Sequence, residues 1–278
     1  MEQQVALVTG ASSGIGAHTA RSLHDAGFVV YGAARRVERM RELAEAGVRT
    51  LAMDVTDETS LRSGVDRVLG EAGRLDVLVN NAGYGSYGAV EDVPLAEARA
   101  QFDVNVFGAA ALIALVLPGM RERRSGTIVN ISSMGGRIYT PMGAWYHATK
   151  YALEALSDSL RLEVASFGIR VVIVEPGAIR TEWGQIAADH LRSVSGAGAY
   201  ADLAQSTART LAGSSRPDAR MVSDPSVIAK TVVRAAKARR PRTRYAVGAG
   251  AKPLIMTRKV LPDRLFDRLI TQGLASRG

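Results

Sequence analysis

Apolar residues along this chain of 278 residues fall into short continuous runs, separated by longer stretches in which apolar positions recur at helical spacing. Continuous runs, unlike alternating ones, are typical of strands buried on both faces of a parallel sheet. The helical stretches between them predict helices that cover both faces of that sheet. The pattern therefore predicts an α/β fold with a doubly wound parallel sheet. The predicted strands are residues 5–9, 28–31, 50–53, 75–79, 127–131, 170–174 and 244–247.

Helical spacing recurs between these strands, and it predicts helices over residues 35–46, 61–70 and 95–120 and one that carries Tyr146 to about residue 166. Beyond Thr181 the pattern weakens. Residues 183–222 are rich in Ala, Ser and Gly, and we expect them to form a mobile substrate lid.

The rest of the chain contains two further helical patterns and no domain boundary. Asp224 and Pro225 suit the start of a helix that ends near residue 238. Residues 254–274 are amphipathic. We therefore predict a single domain over residues 1–278, in which 250–278 form a basic amphipathic C-terminal extension.

Composition excludes several kinds of site. Without cysteine the chain has no disulfide, no thiolate metal site and no cysteine nucleophile. None of its four histidines pair at metal-ligand spacing, so no metal site is predicted. We expect neither a cleavable leader at the N-terminus nor a run of ~18 apolar residues that would mark a membrane span. A cytoplasmic protein is the expectation.

The net charge of +8 is concentrated near the C-terminus. From residue 230 onward, 13 Lys or Arg residues accompany two acidic residues, which gives +11, whereas the first 229 residues carry −3. The charge of the first 229 residues therefore does not indicate that this part of the chain binds nucleic acid. A solvated basic face is favoured over contact with an anionic membrane, an acidic partner or a phosphate. Packing of the amphipathic helix on the body or another subunit is favoured over peripheral membrane contact.

A glycine-rich turn follows the first strand and precedes a helical pattern. Gly10 permits a tight turn, Gly14 allows backbone to approach a pyrophosphate, and Gly16 allows close packing of helix on strand. The spacing is G-x-x-x-G-x-G. A purely structural turn explains such a motif equally well when it stands alone.

Two arginines close the second strand, where an NAD site usually has an acidic residue. Arg35 and Arg36 suit a bidentate contact to a 2′-phosphate, so NADP(H) is favoured over NAD(H) if a dinucleotide binds. The alternative is that both arginines only open a solvated helix.

Tyr146 and Lys150 lie four residues apart in a predicted helix, so their side chains share one face. A tyrosine hydroxyl ordinarily titrates near ~10, and a neighbouring ammonium lowers that pKa. The pair suits proton donation and acceptance. A surface tyrosine that merely precedes a lysine is the alternative, and the intervening His147 points off this face and is expected to be structural.

These residues and their order resemble the short-chain dehydrogenase/reductase family over residues 5–181. The family's motifs match Thr9–Gly16, Asp54–Val55, Asn80–Gly83, Asn105, Ser133, the Y-x-x-x-K run Tyr146–Lys150, and Pro176–Gly177 with Thr181. The resemblance implies a Rossmann-type fold of about seven strands. It also implies a site for a nicotinamide dinucleotide. With Arg35 and Arg36 from the end of the second strand, the candidate cofactor-binding residues are Gly10, Ser12, Ser13, Gly14, Ile15, Gly16, Arg35, Arg36, Asp54, Val55, Asn81, Ala82, Gly83, Tyr146, Lys150, Pro176, Gly177, Ile179 and Thr181.

The same resemblance implies hydride transfer between nicotinamide and a carbonyl or secondary alcohol. Ser133 is expected to hydrogen-bond the carbonyl oxygen and Tyr146 to donate the proton. Lys150 is expected to lower the pKa of Tyr146 and hold the nicotinamide ribose, and Asn105 to hold a water for proton supply. Helix bending is the alternative role for Asn105.

The C-terminal stretches 241–248 and 261–267 are similar to the hydroxysteroid- and retinol-dehydrogenase-like branch, which implies an apolar alcohol or ketone as substrate. Candidate pocket residues are Ile138, Tyr139, Met142 and Trp183, although core packing explains Ile138 and Met142 equally well. Family members are usually homodimers or homotetramers. The rival hypothesis is a non-catalytic dinucleotide-binding regulatory or scaffolding protein.

Overall fold

A computed structural model describes residues 3–216, 218–219 and 221–275. Its seven strands form one parallel sheet in the order β3-β2-β1-β4-β5-β6-β7. This confirms the doubly wound α/β fold, whose order reverses between β1 and β4. The strands are β1 (Val5–Thr9), β2 (Val29–Ala34), β3 (Arg49–Ala52), β4 (Val77–Asn80), β5 (Gly126–Ile131), β6 (Ile169–Pro176) and β7 (Arg244–Val247).

Helices follow the strands and cover both faces of the sheet. They are α1 (Gly14–Asp25), α2 (Arg41–Glu45), α3 (Glu58–Ala72), α4 (Leu95–Phe102), α5 (Gly108–Glu122), α6 (Ala144–Val164), α7 (Trp183–Ser195), α8 (Ala201–Gly213), α9 (Ser226–Lys237), α10 (Ala251–Val260) and α11 (Asp263–Ala275). The predicted lid contains the two helices α7 and α8, with residues 217 and 220 of its range outside the described residues. Residues 276–278 of the predicted extension also lie outside them.

Successive residues of each strand point to opposite faces, and each face has its own apolar layer. In β1, Val8 packs against α1 and α9, whereas Leu7 packs against α3 and α5. Both residues are fully buried. The continuous apolar runs of the sequence therefore arise because both faces of the sheet are covered.

Two predicted helices are interrupted in the structure. The stretch 254–274 is not one helix, because α10 ends at Val260 and α11 begins at Asp263, with Pro262 between them. Proline disfavours the helical conformation of the residue before it, and Leu261 is extended. In the stretch 35–46, Arg35 and Arg36 precede a 3₁₀ turn, so the helix begins later than predicted.

The predicted helix 95–120 is continuous to Glu122 but contains a π-helical segment, Asp103–Phe107, between α4 and α5. The helix Leu95–Glu122 is long and apolar enough to cross a membrane by length and composition, contrary to the expectation of no such run. Leu112, Ile113 and Val116 are buried in the layer that also contains α3 and α6 residues, which is the behaviour of a core helix in this fold.

Candidate active site

Four predicted catalytic residues meet at the carboxyl edge of the sheet, where ligands bind in this architecture. Ser133 follows β5, Tyr146 and Lys150 lie on α6, and Asn105 lies in the π-helical segment. Asn105 Nδ2 donates to Thr149 Oγ1 at 3.0 Å, so it is linked to the residue that precedes Lys150. The structure therefore brings together four positions that are up to 45 residues apart in the sequence.

The π-helical segment places Asn105 towards the loop after β4. Asn105 Oδ1 accepts from the Tyr84 amide at 3.0 Å, and Nδ2 donates to the Tyr84 carbonyl at 2.9 Å. A Cβ atom at Gly83 would lie 3.0 Å from Asn105 Oδ1 and 3.7 Å from Lys150 Nζ. The absence of a side chain at Gly83 thus keeps the space beside Lys150 open. Both expected roles of Asn105, helix bending and proton supply, are compatible with this position.

Tyr146 is buried in an aromatic cluster next to the start of α7. Its ring centroid lies 5.2 Å from that of Trp183 and 5.7 Å from that of Tyr87. Burial raises the pKa of Tyr146 to about 12, although a hydrogen bond with Ser133 opposes the change. The net shift is therefore upward and arises from burial, with no contribution from Lys150 among its causes. The expected lowering by Lys150 stays a prediction.

Lys150 is buried beside Tyr146. Its Nζ lies 6.0 Å from the centre of the Tyr146 ring and donates to the Ile131 carbonyl at 3.0 Å. Burial lowers the pKa of Lys150 to about 8, and the negative charge of Glu154 opposes this. The lysine is therefore charged at neutral pH and loses its proton before Tyr146 does.

His147 fixes the loop that follows Ser133. Its Nδ1 lies 2.9 Å from the Gly135 carbonyl, and its Nε2 accepts from the Thr140 amide at 3.1 Å. These contacts require Nδ1 to carry the proton and leave Nε2 as the acceptor. Burial also lowers the pKa of His147 despite the Gly135 contact, which favours this neutral form. The predicted structural role matches this geometry.

The glycine turn is shaped by close contacts between the segments that follow β1 and β4. Gly10 and Gly14 have φ values of +65° and +51°, which favour glycine. A Cβ at Gly16 would lie 2.1 Å from the Gly10 carbonyl oxygen. Asn81 Nδ2 donates to the Thr9 carbonyl at 2.9 Å, and the Thr9 hydroxyl accepts from the Asn81 amide at 3.0 Å. The turn is thus held at the point where the strand order reverses.

The N-terminus of α1 fits a dinucleotide pyrophosphate. Within the described residues, the capping residue Ser13 makes no side-chain hydrogen bond to the helix, and the first turn of α1 contains no acidic residue. A cavity of about 290 Å³ opens beside Ser12 and Ser13, and its remaining lining is charged, with two arginines and three glutamates: Arg39, Arg41, Glu38, Glu42 and Glu182. Backbone amides at a helix N-terminus attract anions, so the residues present suit the group that the sequence predicts. Ile15 packs on the layer beneath the turn.

Arg35 and Arg36 are exposed at the end of β2. Partial burial alone would raise the pKa of Asp54, but hydrogen bonds from Thr56 and the charge of Arg35 hold that pKa below its usual value. Arg35 therefore lies within electrostatic reach of Asp54, which follows β3 together with Val55. Arg39 instead pairs at 3.4 Å with Glu182, the residue that precedes α7. The predicted adenine-side residues thus share one edge of the site.

The segment after β6 returns to the glycine turn. A Cβ at Gly14 would lie 3.1 Å from Thr181 Cγ2, and a Cβ at Gly177 would lie 2.1 Å from the Ala249 carbonyl oxygen. Ile179 is buried in the same layer as α1. The predicted loop Pro176–Thr181 therefore borders the turn through Thr181, and the predicted contact Ala82 borders it at Gly10, whereas Gly83 lies beside Asn105 and Lys150.

The four candidate substrate residues separate into two groups. Met142 and Trp183 join the aromatic cluster with Tyr146. Tyr139 instead packs on Phe266 of α11 and donates from its hydroxyl to Asp267 Oδ1 at 3.0 Å. Ile138 is buried with 2% exposure. Tyr87, which the sequence reasoning missed, lines the cluster, and its place shortly after β4 was the available signal.

A second missed feature is an ion cluster behind the catalytic helix. Arg244 of β7 donates from Nε to Glu154 Oε2 at 2.9 Å, binds Asp158, and lies 3.5 Å from Glu175 Oε1. Glu154 and Glu175 are 4% and 3% exposed. Glu154 lies one turn from Lys150, so the cluster connects α6 to the last two strands. Isolated charges along the sequence gave no signal for it.

Comparison with known proteins agrees with this arrangement. The family profile described as short chain dehydrogenase matches residues 4–191. The 3-ketodihydrosphingosine reductase of Bacteroides thetaiotaomicron is 43% identical over 181 residues, which are 65% of this chain and 66% of that protein. The NADPH-dependent 3-dehydrocapnine reductase of Ornithobacterium rhinotracheale is 32% identical over 281 residues, covering 97% of this chain and 96% of that protein.

Solved structures show the same fold. A short-chain dehydrogenase from Streptomyces avermitilis has a TM-score of 0.82 and 37% identity, covering 100% of this chain and 98% of its own. An alcohol dehydrogenase from Thermococcus sibiricus, solved with 5-hydroxy-NADP, has a TM-score of 0.73 and 25% identity, covering 90% and 98%. This chain therefore belongs to the short-chain dehydrogenase/reductase family of oxidoreductases.

Proposed function

We propose that this chain is an NADP(H)-dependent oxidoreductase that interconverts a ketone and a secondary alcohol on an apolar substrate. The observation that carries the proposal is the meeting of Ser133, Tyr146 and Lys150 beside a wall of Tyr87, Met142 and Trp183. Polar groups for a carbonyl oxygen and apolar surface for the rest of the substrate are thereby adjacent.

In the reductive direction, the nicotinamide dinucleotide supplies the hydride for the carbonyl carbon when it is bound. The Tyr146 hydroxyl donates its proton to the carbonyl oxygen, and the Ser133 hydroxyl stabilises the negative charge that develops there. Lys150 stabilises the resulting phenolate. Because burial raises the pKa of Tyr146 to about 12, its hydroxyl carries the proton at neutral pH and is in the form that the reductive direction requires.

The first test removes the proposed proton donor. Tyr146→Phe is expected to lower ketone reduction by about 10²-fold or more while NADPH binding stays near that of the wild type. Tyr151→Phe is the matched control, because Tyr151 is 42% exposed on the same helix. Steady-state turnover and NADPH titration measure both effects. Turnover like that of the wild type in Tyr146→Phe would refute the assignment.

The preference for NADP(H) is proposed from Arg35 and Arg36, and the two relatives named with NADPH or solved with an NADP derivative support it. Replacing both arginines with alanine is expected to weaken NADPH binding about 10- to 100-fold, because charged hydrogen bonds to the 2′-phosphate are lost. NADH binding should change little. Arg62→Ala, an exposed site on α3, is the control. Equal loss for NADPH and NADH would contradict a 2′-phosphate contact.

The substrate class is proposed as an apolar ketone or the matching alcohol. The relatives that act on a 3-keto and a 3-dehydro compound support reduction as the physiological direction. A panel of 3-ketodihydrosphingosine, steroid ketones and retinal, monitored by NADPH oxidation, distinguishes the candidates. Tight NADPH binding without turnover on any of them would favour the non-catalytic dinucleotide-binding alternative. A homodimer or homotetramer stays a prediction.

A further inference from the structure

The C-terminal part of the structure carries an unusual excess of positive charge without partners. Between residues 230 and 275, only Arg244 and Arg258 of the twelve described Lys and Arg side chains form ion pairs. The ten others remain unneutralised within the described part of the chain. Since unpaired charges of one sign repel one another, this arrangement has an electrostatic cost that an anionic surface would remove.

Part of this charge surrounds a groove along the edge of the sheet. The groove has a volume of about 630 Å³ and lies between α9, the edge strand β7 and the start of α10. Arg234, Arg242 and Lys252 line it, and Arg244, whose guanidinium binds acidic residues of α6, lies at its base. The groove therefore has the size and charge to accept phosphate-bearing headgroups.

α10 continues from this groove with an exposed face that combines lysines and apolar residues. One side of the helix carries Lys252, Met256, Lys259 and Val260, because steps of three or four residues return to the same side of a helix and Val260 adjoins Lys259. Met256 is 56% and Val260 73% exposed. Apolar side chains flanked by lysines are the pattern of a helix that lies in a membrane interface.

α11 repeats this pattern while its other face anchors it to the body. Phe266 is fully buried against Tyr139, and Arg258 lies over both rings at 5.5 Å and 5.2 Å. On the outer side, Leu265 and Leu269 are 48% and 44% exposed, and Arg264 and Arg268 are also exposed. This anchoring is one of the two contacts expected for the amphipathic stretch, and it accounts for only one side of the helix.

We propose that the groove beside β7 and the outer faces of α10 and α11 dock this enzyme on an anionic lipid bilayer. Cations would contact the headgroups, and Met256, Val260, Leu265 and Leu269 would enter the acyl boundary. A second copy of the chain is disfavoured because a two-fold contact would bring the same cations together. Nucleic acid is disfavoured because it leaves the exposed aliphatic side chains without a partner.

This docking would place the membrane next to the loop that carries Ser133. Tyr139, six residues after Ser133, is the side chain against which α11 is anchored. An apolar substrate dissolved in the bilayer would therefore be close to the catalytic edge. The docking proposal does not depend on the identity of that substrate, because binding is measured without turnover.

The experiment is flotation of the full chain with vesicles of phosphatidylcholine alone or of phosphatidylcholine with phosphatidylglycerol. We expect binding only to the anionic vesicles, and weaker binding at high salt. The charge variant Lys252→Gln/Lys259→Gln should weaken partitioning about 25-fold, at roughly fivefold for each of the two lysines. The apolar variant Met256→Ser/Val260→Ser should weaken it about tenfold or more.

The matched control is Leu95→Ser/Arg99→Gln, which removes an exposed leucine and an exposed arginine four residues apart on α4. It should bind vesicles like the wild type. Thermal melting establishes that each variant is folded. If a double variant is not folded, the single substitutions Met256→Ser and Lys259→Gln replace it in the flotation experiment.

Three outcomes would overturn the proposal. The first is no binding of the wild type to anionic vesicles. The second is an equal loss in the α4 control, which would indicate only general charge attraction. The third is that the wild type does not bind vesicles, whereas the charge variant differs from it in oligomer mass or in binding to duplex DNA. That result would assign the surface to self-association or to nucleic acid.

Discussion

At the scale of single residues, Tyr146 and Lys150 respond to burial in opposite ways. The pKa of Tyr146 rises to about 12, and that of Lys150 falls to about 8. At a pH between about 8 and about 12, Tyr146 keeps its proton while Lys150 has lost its positive charge. The positive charge that stabilises a phenolate is then absent, so proton donation by Tyr146 becomes harder.

We therefore predict that the rate of ketone reduction falls as pH rises through about 8, with a slope set by one ionisation. Lys150→Arg keeps its charge throughout this range. The variant should be slower overall but should lack the decline near pH 8. Initial rates at saturating substrate and NADPH across the pH range measure this. A decline that persists unchanged in Lys150→Arg would assign it to another group.

The catalytic positions could be predicted from the sequence because their identity is encoded locally. Tyr146 and Lys150 share a helix face, and Ser133 precedes them at a fixed distance along the chain. The direction of the Tyr146 pKa could not be predicted in the same way. It depends on Trp183 and Tyr87, which come from distant parts of the sequence and exclude water only in the folded protein.

At the scale of elements, the lid helices α7 and α8 cover Tyr146 through one indole. Trp183 contacts both Tyr146 and Tyr87, and a Cβ at Gly85 would lie 2.4 Å from its ring. The indole thus packs against the ring of the proposed proton donor. We expect a bulky apolar substrate that approaches Tyr146 to displace it.

We predict that addition of an active ketone shifts the tryptophan emission to longer wavelength and increases quenching by acrylamide, because Trp183 becomes more exposed. Trp183→Phe leaves Trp145 as the only tryptophan. The change in emission should then disappear, while Trp145→Phe should keep it. An undiminished response in Trp183→Phe would place the movement elsewhere.

Element boundaries were predicted well where burial sets the pattern and less well near prolines and arginines. β1 and β7 have the predicted bounds, because their apolar runs end at a turn or at a charge. The helix predicted over 254–274 was divided because amphipathic spacing continues across Pro262, although the backbone does not. Apolar spacing alone does not report that interruption.

At the scale of the whole molecule, the ion cluster behind α6 links folding to pH. Burial and the charge of Glu154 raise the pKa of Glu175 to about 7, although Arg137 and Arg244 oppose this. The ordinary value is 4.5. The folded state therefore binds this proton more tightly than the unfolded state. Its contribution to the free energy of unfolding should decrease between about pH 4.5 and 7 and stay constant above that range.

Glu175→Gln removes this ionisation. We predict that the variant matches the wild type near pH 4 and is more stable at pH 8, by at most about 3 kcal/mol. Urea unfolding at both pH values measures the difference. Glu163→Gln, an exposed site on α6, should show no such dependence on pH. Equal stabilities of Glu175→Gln and wild type at both pH values would contradict the raised pKa.

Arg244 has a consequence for synthesis of the chain. Its partner Glu154 lies 90 residues earlier, and β7, which carries it, is the last strand to leave the ribosome. Until Arg244 emerges, Arg137 is the one arginine present of the two that act on Glu154 and Glu175, and the missing positive charge disfavours closure of this part of the sheet. The catalytic helix α6 is therefore secured late in translation, at nearly the same time as the cationic surface that follows β7. A chain that stops before β7 would expose carboxylates and apolar strand edges together, and cellular proteases would recognise it as incomplete.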